Sequence, residues 1–494
     1  MSSAREPIAS VKLAAEMVIG GRGVAALSGE TFPTLNPATG RTLAQIPKGD
    51  GADVDAAVKA ARKAFDEGPW PRMKPAERKG LLLRYAVLVE EHSQELAQLE
   101  ALEAGKPISD CRAIDLPETV NILRWHAEAA DKIYDQLSPS GSAVVSMIVR
   151  EPIGVVGAVL PWNYPLMVAA LKVGPCLASG NTMVLKPAEQ TSLSTIRLCE
   201  LAAEAGLPEG VVNVVTGFGE TVGKAIGLHG QIDCVGFTGS TDVGRLFLKY
   251  SAQSNLKRIL LECGGKSPMI VMDDAEDLAA VAAHATFAAF CNMGENCTAN
   301  ARLLVHRNIK DALLAQIVDK TDQWIVGDPL DEATRVGALI ERDHMGKVLG
   351  HIHDALNAGA QLVRGGRQVR EDSGGYFVEP TIFDRVSPAI RLSREEVFGP
   401  VLGITTFDSL EEVITLANDT DYGLQASVFT GSRKTAHYIA RAVRAGTVAV
   451  NCYSEGDIAT PFGGYKISGF VGREKSLAAH DQYCELKTIW NDMS

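Results

Sequence analysis

The segment FCNMGENCTANAR, Phe290 to Arg302, sets Cys297 among glycine and small polar residues, just after an apolar run that would bury it. Thirty-five residues upstream, LLECGGKSP places a carboxylate, Glu262, immediately before a Gly264-Gly265 turn. A deprotonated thiol is a strong nucleophile, and a carboxylate can activate the water that later releases what the thiol has captured. The two together suggest acyl chemistry through a thioester. Taken alone, Cys297 reads more readily as a small core residue, the commonest role of a free cysteine.

Three further segments carry chemistry. In LPWNYP, Leu160 to Pro165, Asn163 stands between two prolines that restrict their neighbours. A rigid amide there suits an oxyanion donor and equally suits an asparagine that closes a turn. In MVLKPAEQT, Lys186 and Glu189 follow an apolar strand, where open α/β sheets bind ligands. A carboxylate so placed can accept both hydroxyls of a ribose and repel a 2′-phosphate, which favours NAD over NADP; the alternative is a surface ion pair. GFTGSTDVG has glycines at 236, 239 and 244 and a helix start near Asp242, a turn that would bring a helix N-terminus to a pyrophosphate. It is not GxGxxG, and glycine turns before helices are common.

The elements that must hold these residues alternate β-type apolar runs with helical periodicity. Val155 to Leu160, Met183 to Leu185, Val211 to Val215 and Cys234 to Phe237 read as buried strands, and Leu193 to Ala205 as a helix closed by Gly206. A second series follows Gly265: strand Met269 to Val271, helix Asp277 to Phe290, strand Arg302 to Val305, and alternations to about Val450. Ala143 to Arg150 and YCELKTIW near the C-terminus read as protruding strands of the kind that pair between subunits. The expected fold is α/β: a Rossmann-like dinucleotide-binding domain, an α/β catalytic domain and a small β oligomerisation element.

Composition narrows the class. The chain has 494 residues, enough for two or three cores, with 60 acidic against 48 basic residues and a net charge of −12, which argues against nucleic acid. Nine cysteines, odd in number and without CxxC or Cys/His spacing, argue for a reducing compartment and no metal site. MSSAREPIASVKLAAEMVIGG carries charges where a signal peptide needs an apolar core, and no run reaches the ~18 apolar residues of a membrane span. A cytoplasmic protein without membrane partners is expected.

GFTGST, LECGGKSP, FCNMGENCTANAR, EEVFGPV (Glu395 to Val401) and PFGGYKISG (Pro461 to Gly469), in this order, resemble the aldehyde dehydrogenase superfamily from about Val18 to Trp490. SMIVREPIGV, VNVVTGFGETVG, VNCYSEGDIATPFGGYK and CELKTIW are most similar to the aminoaldehyde and γ-glutamyl-γ-aminobutyraldehyde dehydrogenases of bacterial polyamine breakdown.

The resemblance implies Cys297 as nucleophile, Glu262 as general base, Asn163 with the Cys297 N–H as oxyanion hole, and Lys172 as a proton-relay lysine. It implies an NAD site of Pro161, Trp162, Lys186, Glu189, Gly219, Phe237, Gly239, Ser240, Val243, Gly264, Glu396 and Phe398. Tyr164, Leu171, Asn296, Thr298, Glu455, Asp457 and Phe462 would line the aldehyde pocket. Glu455, Asp457 and Asp115 are candidates to attract an ω-amine, and Tyr164 to offer it a cation–π face. Implied boundaries are 1–134 with 152–264 for the NAD-binding domain, 265–463 for the catalytic domain, and 135–151 with 477–494 for oligomerisation strands of a homodimer or homotetramer. Glu295 replaces the usual glutamine and should raise the Cys297 pKa; Cys263 replaces a leucine; an extra residue in SGFVGRE leaves Glu474 without an assigned role. The alternatives are a broad aldehyde-detoxifying enzyme and a non-catalytic protein that keeps the fold.

Overall fold

A computed structural model describes residues 15–494. The reading of the first fourteen residues lies outside that range.

The first sheet has eight strands, in the order Arg22–Val24, Met17–Ile19, Val212–Val214, Thr182–Lys186, Val155–Val159, Cys234–Gly239, Arg258–Cys263, Gly469–Phe470. The five central strands run parallel and the outer pairings are antiparallel. Both faces are covered, as a parallel sheet requires. Alternation decides which residue goes where: Val155 and Val159 pack with helix Gly51–Asp66 and helix Thr241–Gln253, while Val156 and Ala158 face helices Pro165–Ala178 and Leu193–Glu204. Gly206, at φ 90°, ends Leu193–Glu204 as its position suggests.

Strand order reverses between Val155–Val159 and Cys234–Gly239. The crevice at the carboxyl ends of two such strands is where doubly wound sheets bind ligands, and here it receives both the Pro161–Asn163 loop and Gly239-Ser240.

From Arg258–Cys263 the chain crosses at Gly264-Gly265 into a second sheet, ordered Gln361–Arg364, Thr381–Asp384, Val401–Phe407, Arg302–His306, Pro268–Val271, Gln425–Phe429, Thr447–Val450. All its pairings are parallel except the first. Between helix Leu278–Phe290 and strand Arg302–His306 lies the loop that carries Cys297. Asp277 caps that helix by accepting from Ala279 N and Ala280 N, each at 3.0 Å. Strands Val144–Pro152 and Cys484–Asp492 pair antiparallel over their full length outside both cores. The helices Pro75–Glu91, Ser93–Ala104 and Leu116–Ala129 form an extra layer beyond Pro165–Ala178. Among the described residues no helix is long and apolar enough to cross a membrane.

Candidate active site

One cleft of about 310 Å³ lies between the sheets and is lined by Cys297, Glu262, Asn163 and Glu396 together with Pro161, Trp162, Gly239, Ser240, Gly264 and Phe398. Tyr164, Leu171, Asn296, Glu455 and Phe462 line the same cleft. Residues up to 313 apart in sequence, Pro161 and Glu474, thus meet around the Cys297 thiol and the Glu262 carboxylate.

The Cys297 turn is built on strained backbone. Asn292, Met293 and Gly294 all have positive φ, 52°, 55° and 70°, and Gly294 sits so close to Gly399 that a Cβ would come 2.2 Å from its carbonyl oxygen. A Cβ on Gly265 would lie 2.3 Å from the Cys297 carbonyl oxygen, so only glycine lets the crossover strand approach the thiol. Cys297 is half-buried, and burial pushes its thiol well above the ordinary range, with Glu455, Glu396 and Glu262 adding to the effect. Its own N–H opposes the shift.

Glu262 lies one residue before the end of the last parallel strand, with Gly469 beside it across the antiparallel edge. It is 4% exposed, and neither carboxylate oxygen has a hydrogen-bond partner of normal geometry. Burial raises it to about 8, against the charges of Lys172 and Arg473 and the Gly464 amide. Lys172 makes a buried, close ion pair with Glu474, and burial brings it down to about 8. Asn163 Nδ2 donates to the Glu295 carbonyl at 2.9 Å, which leaves its second N–H free.

On the dinucleotide side, Ser240 caps helix Thr241–Gln253 by accepting from Val243 N at 3.3 Å, so the helix N-terminus opens on the cleft. Trp162 and Phe398 stand edge to face, 5.2 Å between centroids, with Phe398 at φ 56°. Glu396 accepts from Gly265 N at 2.8 Å, and burial raises it to about 7. Lys186 Nζ donates to Glu189 at 3.0 Å and to the Pro187 carbonyl at 2.8 Å; Lys186 is buried and Glu189 partly open. Gly219 begins the turn Gly219–Gly223 beside Lys186; Phe237 is buried under Gly239; Val243 is exposed on the capped helix. None of these last five lines the cleft.

In the aldehyde pocket, Thr298 Oγ1 donates to Glu455 at 2.5 Å and lies 2.7 Å from the Tyr453 hydroxyl, while Asn296 Nδ2 donates to Tyr453 at 3.0 Å. Thr298 therefore supports Glu455 from below rather than lining the cleft. Several expectations need correction. Asp457 is exposed and spends its carboxylate on Ala459 N, 2.9 Å, in a turn. Asp115 is buried against Lys106, away from the cleft. The Tyr164 ring already carries the Lys106 ammonium, 3.9 Å from its centre. Glu295 turns away from the thiol and accepts from Ile340 N at 3.0 Å; burial raises its carboxyl, and the charges that raise the Cys297 thiol are those of Glu455, Glu396 and Glu262 instead.

Sequence reasoning missed Met167 and Val168, which line the cleft with Leu171 from helix Pro165–Ala178. Their i, i+1, i+4 spacing on one face was the available signal. It also missed His344 and Lys347, one turn apart on helix Arg342–Asn357, and Glu474.

A family-wide profile of the aldehyde dehydrogenase family matches residues 24–489, and the chain belongs to that family. It is 55% identical to the aminoacetaldehyde dehydrogenase of Pseudomonas aeruginosa over 95% of this chain and 94% of that protein. Among solved structures, it superposes on a γ-glutamyl-γ-aminobutyraldehyde dehydrogenase from Burkholderia cenocepacia with a TM-score of 0.96 at 48% identity, and on the indole-3-acetaldehyde dehydrogenase AldA of P. syringae in complex with NAD+ with a TM-score of 0.97 at 49% identity. Each of these two comparisons covers 98% of both chains.

Proposed function

We propose that the protein oxidises an ω-aminoaldehyde or γ-glutamylaminobutyraldehyde of polyamine breakdown to the carboxylic acid, with NAD as cofactor. The observation that carries this is the convergence of a thiol, an unpartnered carboxylate, a free amide N–H and a helix N-terminus on one cleft.

The residues fit the dinucleotide. The capped helix offers backbone N–H groups to a pyrophosphate, Glu189 and Glu396 offer acceptors to two riboses, and Trp162 and Phe398 give a flat apolar wall. Glu189 would repel a 2′-phosphate. When bound, NAD+ supplies the acceptor for the hydride that leaves the aldehyde carbon.

Cys297, as thiolate, adds to the aldehyde carbon, and the free Asn163 N–H with the Cys297 N–H holds the oxygen that gains charge. Loss of hydride from that carbon leaves a thioester on Cys297. Glu262, deprotonated, takes a proton from water, and the resulting hydroxide displaces the sulfur and frees the acid. The buried Lys172–Glu474 pair lies next to Glu262 in charge terms and is the group we assign to receive its proton.

Glu455, held by Thr298, is the group we assign to an ω-ammonium. A panel of aminoaldehydes, acetaldehyde and benzaldehyde, each with NAD and NADP, tests both assignments by kcat/KM. Glu455→Gln should lower kcat/KM for aminoaldehydes alone; equal losses for acetaldehyde would remove Glu455 as the amine site. The apolar wall of Met167, Val168, Leu171 and Phe462 favours a second reading, broad oxidation of uncharged aldehydes, which would show as equal efficiency across the panel.

The division into 1–134 with 152–264, 265–463, and 135–151 with 477–494 remains our assignment of NAD-binding, catalytic and oligomerisation parts. Strand Cys484–Asp492 is an open edge carrying exposed Leu486 and Trp490, which supports a homodimer or homotetramer, measurable by light scattering. All nine cysteines are free thiols, which supports the cytoplasm.

A further inference from the structure

Lys106 is 1% exposed, and no step above uses it. It lies in the turn after helix Ser93–Ala104, where Gly105, at φ 74°, packs against the second sheet's connecting chain. A Cβ on Gly105 would come 2.5 Å from the Ala338 carbonyl oxygen, and Ala338 N donates to Gly105 O at 3.1 Å. The Lys106 backbone therefore has little room to move.

Its ammonium has three protons and three acceptors. It makes a close ion pair with Asp115 and donates to Glu100 Oε1 at 3.5 Å and to the main-chain oxygen of Asn163 at 3.3 Å. Its charge also faces the Tyr164 ring at 3.9 Å. Glu100, Cys111 and Asp115 alone would make a metal-binding set, and the ammonium takes the place of the cation. Burial, with Asp115 nearby, raises Glu100 to about 8, and the Lys106 ammonium opposes that shift.

The Asn163 oxygen accepts a second bond from Asn292 Nδ2, at 3.1 Å. Asn292 Nδ2 also donates to the Glu295 carbonyl, at 2.9 Å, which is the acceptor of the Asn163 side chain. Lys106, Asn163, Asn292 and Glu295 so form one hydrogen-bonded chain, from the outer helical layer to the residue two before Cys297. An oxyanion donor stabilises charge only when its direction is fixed before the charge appears.

We propose that Lys106 is a positioning residue for thiol addition: by gripping the Asn163 carbonyl and the Tyr164 ring from behind, it aims the free Asn163 N–H at the oxygen of the substrate bound to Cys297. The inference rests on Asn163 being the oxyanion donor.

The test is the rate of the NADH burst in Lys106→Met, with Lys106→Met/Asp115→Asn as a second variant that also removes the Asp115 carboxylate left facing the lost ammonium should the first fail to fold. The burst should slow about tenfold or more, within the roughly 10²–10³-fold that loss of an oxyanion donor costs. NAD affinity and the rate of Cys297 alkylation by iodoacetamide, which needs no oxyanion hole, should stay within about twofold of wild type, whereas a general loss of structure would move both. In an Asn163→Ala background the Lys106 substitution should cost nothing further. A wild-type burst in a folded Lys106 variant, or an additive loss on top of Asn163→Ala, would overturn the proposal and leave the Asn163 assignment standing. A wild-type burst in Asn163→Ala itself would overturn that assignment, and this inference with it.

Discussion

Deacylation should carry the titration of Glu262. The carboxyl is raised to about 8, chiefly because it is buried without hydrogen-bond partners, and only its ionised form can take a proton from water. About 90% is ionised near pH 9 and about 1% near pH 6, so thioester hydrolysis should fall roughly ninety-fold between them. Steady-state rates cannot isolate this, because the Cys297 thiol is also raised and thiol addition will have its own acid limb. A double-mixing experiment can: the acyl-enzyme is formed near pH 9 with excess NAD, jumped to a lower pH, quenched, and the acyl group remaining on Cys297 measured by mass spectrometry. The rate constant should trace a single ionisation near pH 8, and Glu262→Gln should be slow and flat across the range. Deacylation that is constant from pH 6 to 9, or a Glu262→Gln variant that keeps the wild-type profile, would refute Glu262 as the base.

Cys297→Ala should abolish NADH production while still binding NAD; aldehyde oxidation at wild-type rate would remove it as nucleophile. The folded protein binds the Glu262 proton more tightly than the unfolded chain, so this group's contribution to stability is full below about pH 4.5 and lost as pH rises through about 8, up to ~5 kcal/mol before solvent relaxation reduces it. Glu262→Gln should therefore raise Tm more at pH 9 than at pH 5, and an equal change at both would contradict the buried, unpartnered carboxylate. Glu189→Ser should improve the NADP/NAD ratio of kcat/KM by about tenfold or more, given that a removed like charge is worth over 1 kcal/mol at close range; an unchanged ratio would take Glu189 away from the ribose. Gly265→Ala should lose most of the burst, because its methyl group would meet the Cys297 carbonyl at 2.3 Å; wild-type activity would show that the crossover can yield.

The parts of the site legible in the sequence are those written in local pattern. Val155–Val159, Thr182–Lys186 and Leu278–Phe290 are marked by apolar periodicity, and Cys297, Glu262 and Asn163 stand next to glycines or prolines that restrict the backbone. Charges were misread where their environment comes from distant chain. Glu295, two residues from Cys297, is not among the main charges that raise its thiol, since its carboxyl turns to Ile340 N; Asp115 reads as a candidate for an ω-amine until Lys106 is found against it. His344 and Lys347 reach the cleft only because helix Arg342–Asn357 docks there, which no local spacing announces.

The ionisation of Glu262 shows why that difference matters. Its identity as a carboxylate beside Gly264-Gly265 is local, but its proton affinity is set by Lys172, 90 residues before it, and by the segment that carries Arg473 and Glu474, more than 200 residues after it. Gly469–Phe470 pairs with the Glu262 strand and brings that segment over the carboxyl, so that Gly463 and Gly472 close on Oε1. Burial from these glycines holds the proton on; the Lys172 charge, partly spent on Glu474, loosens it. Glu474→Gln should thus free the Lys172 charge to act on Glu262 and move the deacylation midpoint to lower pH, while Lys172→Met should move it higher. Opposite shifts in the same pH-jump assay follow only if the pair tunes the base; shifts of the same sign would mean that the segment merely covers it.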